Sequence, residues 1–461
     1  MSFTSWPFAL FVALIFLLYY APWLRRWRVW LLVAGSIFFY AWDQWRLLPL
    51  LLATVLGTHA CLILAMRGSR AWMWAGIAFN LSVLAFFKYK FLILSPSTHL
   101  GDGWLDVLLR LPLPIGISFF VFHNISLLVD FTRPDSTLPK PKLSEVFFYI
   151  IFFPQLVSGP ITRARSFFPQ IGEKLFRDVD WASAARWIIA GYFMKLFCAN
   201  NLSQFTSYMD PKLNGTLSSL DRAFFLLLYS FQIYADFFGY SAIAIGLALL
   251  FGYRLPVNFR RPYLARSFAD FWSRWHISLS TWLKNYLYVP LGGNRHGHAR
   301  TYANLLIVMG LGGLWHGAGL GYLLWGLVHG ALLAIERPFL DAEQRFQNRA
   351  PKWLARIASW GRIAFVFAVV SWAWLFFKLP RFDDATAYLH GMFTHAPRPG
   401  FAASFYVLAL LYSAPVIVQH VCGWMAQREW FRRIEPAFLG LLIFVAIVEC
   451  GPETAFIYFQ F

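Results

Sequence analysis

Charge is scarce in this chain. Of 461 residues, 13% are charged and 59% hydrophobic, whereas a soluble domain is about a quarter charged and about half apolar. A sequence so poor in charge cannot cover a water-facing surface, and its mean hydropathy of +0.54 points to lipid as the solvent. Cysteine is scarce too. The four, Cys61, Cys198, Cys422 and Cys450, lie in or beside apolar runs with no CxxC pair, which excludes a disulfide framework and a zinc site. Also missing are GxGxxG after a strand, GxxxxGK[ST], GxSxG and HExxH. Their absence removes support for hydride transfer, ATP-driven transport, soluble serine-hydrolase chemistry and zincin chemistry. No internal repeat is visible, which weakens a transporter built from inverted repeats.

Long apolar runs fill the chain. A spanning helix needs about 20 mostly apolar residues. Candidate spans are Phe8–Leu24, Val29–Trp45, Leu47–Met66, Ala71–Phe87, Leu113–Phe131, Val146–Val157, Trp181–Ala199 and Ala223–Phe251. Further ones are Tyr302–Leu314, Gly319–Ile335, Ile363–Phe377, Phe401–Gly423 and Pro436–Val448. The expected fold class is all-α, a polytopic membrane protein of about eleven to thirteen membrane helices and re-entrant segments. Ala223–Phe251 exceeds one straight span and fits either two elements or a tilted helix. The N-terminal run lacks a basic leader and a small-x-small cleavage site, so it is expected to stay as a first span.

The 40 Lys+Arg outnumber the 22 Asp+Glu, giving a net charge of +18. These bases sit in short gaps between apolar runs, as topogenic charges facing anionic lipid do. No basic face or base-stacking module stands apart from the spans, so nucleic acid is not an expected partner and the lipid bilayer is. Pro338–Arg362 is polar and is expected as the one sizeable loop, while Lys88–Lys90 is expected as a connection. Leu255–Gly293 mixes arginines with Phe and Trp and is expected at the headgroup level. Residues 1–111 are thus expected as N-terminal membrane helices, 112–336 as the core, and 337–461 as the polar loop with C-terminal membrane helices. The core is broken by Pro, Gly and polar residues, and broken backbone at membrane depth must line protein or a cavity.

Ionisable groups in membrane segments are costly and mark function by default. His316 ends the Gly-rich run Gly312-Gly313-Leu314-Trp315-His316-Gly317. Buried, its imidazole is held neutral, as a general base must be; a histidine satisfied by a helix–helix hydrogen bond is the other reading. On one continuous helix, Trp272, His276 and Ser280 share a face by i,i+4 spacing; an interfacial helix with a Trp anchor fits the same residues. Asp236 lies mid-way in an apolar run and demands a partner, His276 or an arginine. His123, Asn124 and Asp130 fall in a broken segment without metal-ligand spacing. His329 follows His316 by 329 − 316 = 13 residues, towards another face.

Taken together, these motifs resemble the membrane-bound O-acyltransferase family, and most of all its bacterial subgroup that acetylates exopolysaccharides such as alginate and cellulose. The resemblance is carried by Leu113-Pro114-Ile115-Gly116-Ile117-Ser118-Phe119-Phe120, then Phe153-Pro154-Gln155-Leu156 with Gly159-Pro160-Ile161. It continues through Gln232-Ile233-Tyr234, Asp236-Phe237 and Gly239-Tyr240-Ser241, then Asp270-Phe271-Trp272 to Leu287-Tyr288. Leu291-Gly292-Gly293-Asn294-Arg295 and the His316 motif complete it, all in family order. The resemblance implies a many-helix fold around a tunnel through the bilayer. The family's near-invariant histidine maps onto His316 and its second polar catalytic position onto His276. Asp236, Arg274, Trp275, Lys284, Asn294 and Trp315 are the expected contacts for substrate and donor. The sequence departs from the family at Phe238 and Ala242, where relatives carry Ser and Asp, and at His123, where relatives often have Gln.

The implied activity is acetyl transfer from cytoplasmic acetyl-CoA across the bacterial inner membrane, with no bound cofactor and no metal. Arg260, Arg261, Arg274 and Lys284 are expected near the donor's phosphates. A periplasmic acetyltransferase and a polysaccharide synthesis and export complex are the expected partners. Rival readings are D-alanyl transfer from a carrier protein to a teichoic-acid-type acceptor, a transporter or flippase of an acylated intermediate, and a non-catalytic scaffold.

Overall fold

The structure, a computed structural model, describes residues 1–93, 109–395, 400–423 and 428–457. The described residues are predominantly helical and contain no strand. They fall into two compact units, Met1–Ile188 with Ser241–Pro256, and Ile189–Tyr240 with Val257–Phe461.

The first unit opens with α1 (Trp6–Tyr20), α2 (Arg28–Gln44), α3 (Leu48–Met66) and α4 (Arg70–Ile93). Ser5 caps α1 by accepting the Phe8 amide at 3.4 Å, and Pro7 begins the helix where no amide is needed. α4 runs through Lys88–Lys90, so the expected connection there is helix; Lys90 Nζ reaches the Leu109 carbonyl at 2.8 Å. α5 (Ile117–Thr132) and α6 (Leu143–Ile151) follow. The interior of this unit is a phenylalanine cluster, in which Phe11 and Phe153 meet edge to face at 5.2 Å.

Next comes α7 (Trp181–Phe193), capped by Asp180, which accepts the Ser183 amide at 3.0 Å. That bond holds the Asp180 carboxyl below the usual range. The expected run to Ala199 is not uniform. Met194–Ala199 is a π turn, followed by α8 (Asn200–Thr206). α9 (Ser219–Leu250) is one unbroken helix of 32 residues, about 48 Å long at the standard rise. Its most apolar window is 89% buried, so it is a core helix.

In the second unit, α10 (Phe268–Arg274) and α11 (Ile277–Leu283) are short. α12 (Gly297–His316) and α13 (Leu320–Glu336) form a helical hairpin. α14 (Leu340–Arg349) and α15 (Lys352–Ala373) occupy most of the stretch expected as a polar loop. Arg, Glu, Gln and Ala are good helix formers, so polarity there sets exposure and not irregularity. Arg362 pairs with Glu343, and the Gln347 amide meets Ser359 at 3.3 Å, joining these two helices. α16 (Leu375–Lys378), α17 (Phe382–Thr394), α18 (Ala403–Cys422) and α19 (Glu429–Val448) complete the chain. Six helical stretches among the described residues are long and apolar enough to cross a membrane, and α1 and α5 are shorter apolar helices.

Candidate active site

The hairpin α12–α13 sets the position of His316. A Cβ on Gly313 would stand 2.2 Å from the Tyr322 carbonyl oxygen, and one on Gly326 would stand 2.2 Å from that of Met309. Only glycine allows two helix backbones this close. His316 is the last residue of α12 and is 4% exposed. Its ring stands 5.0 Å from that of Phe377 and 5.2 Å from that of Trp325, edge-on to the latter. The Trp315 ring is 4.9 Å away on the chain side.

His276 does not lie on a continuous helix. α10 stops at Arg274, and His276 adopts left-handed backbone angles (φ 42°, ψ 52°) before α11 starts at Ile277. The expected i,i+4 face of Trp272, His276 and Ser280 is therefore broken. The break has a physical holder. Asn258 accepts the Ile277 amide on its carbonyl at 3.0 Å. Its side-chain oxygen accepts the Ser278 hydroxyl at 2.6 Å and lies 3.4 Å from His276 Nδ1. His276 is fully buried, with Phe237 edge-on at 4.6 Å. Its ring is 6.2 Å from that of Trp315, so both histidines neighbour the same indole. Asn258 escaped the sequence reading, because its role depends on a contact 18 residues away.

The carboxylate of Asp236 has a partner, though neither His276 nor an arginine. Lys195 Nζ binds one oxygen at 2.7 Å, and the Ile457 amide donates to the other at 2.8 Å. Lys195 comes from the π turn and also reaches the Thr454 carbonyl at 2.9 Å. Trp275 is buried against Trp374 at 4.8 Å and Phe259 at 5.0 Å. Arg274 is half-buried and bonded to Asp270 at 2.6 Å. Lys284, Asn294, Arg260 and Arg261 are exposed. His329 is buried beside Trp325 at 4.9 Å, on the same indole that meets His316. In the first unit, His123 Nε2 accepts the Thr162 amide at 3.2 Å, Asn124 donates to Asn80 at 2.6 Å, and Asp130 accepts the Arg165 amide at 3.1 Å. No three His, Cys, Asp or Glu side chains among the described residues converge as metal ligands.

Residues 37–377 match the family model of the membrane-bound O-acyltransferases, a region that includes both histidines and ends on Phe377, the ring against His316. The chain belongs to the membrane-bound O-acyltransferase family. It is an acyltransferase and a multi-pass membrane protein. The peptidoglycan O-acetyltransferase of Helicobacter pylori is 34% identical over 397 residues, covering 79% of this chain and 73% of that one. The probable alginate O-acetylase AlgI of Pseudomonas putida is 32% identical over 501 residues and covers 100% of both chains. The teichoic acid D-alanyltransferase of Bacillus subtilis is 25% identical over 272 residues, 56% of this chain and 68% of that one. In a membrane-bound O-acyltransferase, a buried imidazole beside indoles is chemically suited to move a proton from a hydroxyl where water does not compete.

Proposed function

We propose that this protein is a bacterial inner-membrane O-acetyltransferase that carries acetyl groups from cytoplasmic acetyl-CoA across the membrane for exopolysaccharide O-acetylation of the alginate or cellulose type. The observation that carries the reading is the pairing of two buried histidines on one indole, with His276 pinned by Asn258 and His316 at the end of a glycine-packed helix.

In the proposed step His316 takes the proton of an acceptor hydroxyl. The hydroxyl oxygen attacks the thioester carbonyl, and a new O–acyl bond forms. The C–S bond then breaks, and the proton passes to the departing thiolate. His276 and the Trp315 indole orient the carbonyl and stabilise the oxyanion, the term that dominates acyl transfer. Arg260, Arg261 and Lys284, exposed, are available to the donor's phosphates; Arg274 has to leave Asp270 to join them. Asn294 and Trp275 are assigned supporting contacts. The acetyl group then passes to a periplasmic acetyltransferase within a polysaccharide synthesis and export complex. Relatives whose names specify O-acetylation of alginate and of peptidoglycan support this assignment.

The test is transfer from labelled acetyl-CoA by purified protein. His316→Ala is expected to lower the rate by about a hundredfold to ten-thousandfold, the range for a lost general base, and His276→Ala by less. Near-wild-type transfer by the His316 variant defeats the assignment. D-alanyl transfer is the second reading, kept because of the 25% identical D-alanyltransferase. Replacing acetyl-CoA by a D-alanyl-loaded carrier protein in the same assay separates the two.

A further inference from the structure

The first unit carries two neighbouring cations with no carboxylate to match them. α1 ends before Pro22, and the turn Pro22–Trp27 leads into α2 at Arg28. Arg28 is only 9% exposed, and it stands at the start of a helix with no acid in the first turn, where the helix dipole repels a positive charge. Its guanidinium stands 5.5 Å from the Tyr19 ring and 5.6 Å from that of Tyr20, and it donates to the Lys174 carbonyl. The buried Nε has no partner among the described residues. Lys174 is half-buried. Its stem lies on Gly252, where a Cβ would stand 2.9 Å from the lysine Cδ, and its ammonium is 4.9 Å from the Tyr253 ring. The acids near it in the chain are committed elsewhere: Glu173 to Arg25, Asp178 to Arg177 at 3.8 Å, and Asp180 to the cap of α7. Arg254 acts on Lys174 with a like charge. Among the described residues no carboxylate lies within ion-pair distance of Arg28 or Lys174.

An apolar groove of about 350 Å³ adjoins these cations, lined by Phe16, Leu17, Tyr20, Ala21, Trp23 and Phe176. Tyr20 joins the two features: it lines the groove, and Arg28 stands over its ring. Phe176 follows Lys174 by 176 − 174 = 2 residues and meets the Tyr20 ring edge-on at 5.5 Å. Leu17, Trp23 and Phe176 are exposed, so the groove opens outward. Leu17 shares its exposure with Leu10 and Leu14 of the same helix, an uncharged face suited to hydrocarbon. Trp23, Arg25 and Arg26 follow directly, the residue types that sit where headgroups begin. An unmatched cation at membrane depth is costly unless something supplies the opposite charge. A free anion would leave the groove unused, and a neutral lipid would leave the cations unmatched. An amphiphile with a phosphate head and a hydrocarbon chain satisfies both, with arginine and lysine as phosphate donors.

We propose that the first unit holds an anionic glycerophospholipid, with one acyl chain in the groove along Leu17 and Trp23 and the phosphate bound by Arg28 and Lys174. This site stands independently of the assignment of His316.

The experiment titrates the purified full chain in detergent with dioleoyl phosphatidylglycerol or dioleoyl phosphatidylcholine, and counts bound lipid by native mass spectrometry. Inorganic phosphate and acetyl-CoA are added in separate arms as competitors. Wild type is expected to bind phosphatidylglycerol about tenfold or more tighter than phosphatidylcholine, since each basic contact to an anionic lipid contributes about fivefold. Lys174→Gln is expected to lower that preference by about fivefold, and Arg28→Gln with Lys174→Gln to abolish it. Arg28→Lys should keep most of it. Arg433→Gln, an equal loss of charge at an exposed position on α19, is expected to change nothing. Thermal unfolding without added lipid shows whether each variant folds, and where the double variant does not, Lys174→Gln alone decides. Equal binding of the two lipids by wild type, or a preference unchanged in Lys174→Gln, overturns the proposal. Displacement of the lipid by inorganic phosphate overturns it in favour of a free-anion site. Displacement by acetyl-CoA overturns it by giving the two cations to the acyl donor.

Discussion

His276 and Arg261 are the two non-glycine residues with left-handed backbone among those described. Such a conformation costs of order 1–3 kcal/mol and persists only where the surroundings impose it. Asn258 imposes it on His276 through the Ile277 amide and the Ser278 hydroxyl. Removing the Asn258 side chain deletes the acceptor of the Ser278 hydroxyl and the neighbour of His276 Nδ1, while the Ile277 bond to the Asn258 main-chain carbonyl stays; the loss of one such buried hydrogen bond costs roughly 1–3 kcal/mol. Asn258→Ala is therefore expected to lower kcat by about tenfold to a hundredfold, with the KM for the donor little changed, as measured by labelled acetyl transfer. The Lys195–Asp236 pair makes a second residue-scale test. Breaking one partner of a buried pair costs about 3–5 kcal/mol, while replacing both by apolar residues is often near neutral. Asp236→Asn alone is expected to lower thermal stability in detergent, and Lys195→Met with Asp236→Leu to recover much of the loss. Failure of the double variant to recover would assign the pair a role beyond folding. His316 and Asp236 stand out in the sequence as polar residues in apolar runs, and His276 through the aromatic motif from Trp272 to Ser280. Lys195 and Asn258 do not. The π turn moves Lys195 off the face that a 3.6-residue period assigns it, and Asn258 is a loop residue whose value lies in a tertiary contact.

At the scale of elements, the glycine seam between α12 and α13 does the positioning. Tyr322 and Met309 present carbonyl oxygens where a side chain on Gly313 or Gly326 would have to go. Gly326→Val is expected to push the hairpin apart at a cost of at least about 1–3 kcal/mol, the usual scale for an overpacked core. It should also lower acetyl transfer, since the hairpin carries His316 and Trp325. Gly440→Ala meets nothing within 4 Å and serves as the control, with stability little changed in the same thermal scan. Sequence periodicity located most helices, because each is a long apolar run bounded by Arg, Gly or Pro. It misread α14 and the start of α15, where exposed charge was taken for irregular chain. It also joined α10 to α11, since nothing in the residues around Trp275 announces a left-handed turn at a histidine.

Across the whole molecule, the outer helices bear apolar side chains on both faces. On α1, Phe8, Phe11, Ile15 and Tyr19 are buried, yet the opposite face carries Leu10, Leu14 and Leu17, which are 57–70% exposed. A helix in water would place charge there. The same holds for Val407, Leu411 and Val418 on α18 and for Phe444 and Ile447 on α19. The apolar face is explained if lipid, which needs no polar cover, is what it meets. Leu14→Arg separates this from exposure to water. Facing hydrocarbon, the arginine costs about 2.5–3.5 kcal/mol near the centre of a span, so the yield of membrane-integrated protein and its thermal stability in nanodiscs should both fall. Facing water, it would cost almost nothing. Leu213, exposed in the turn Pro211–Thr216 outside any candidate span, supplies the comparison. Leu213→Arg is expected to leave both measurements unchanged. Equal tolerance of the two arginines would mean that the outer face of α1 does not meet lipid.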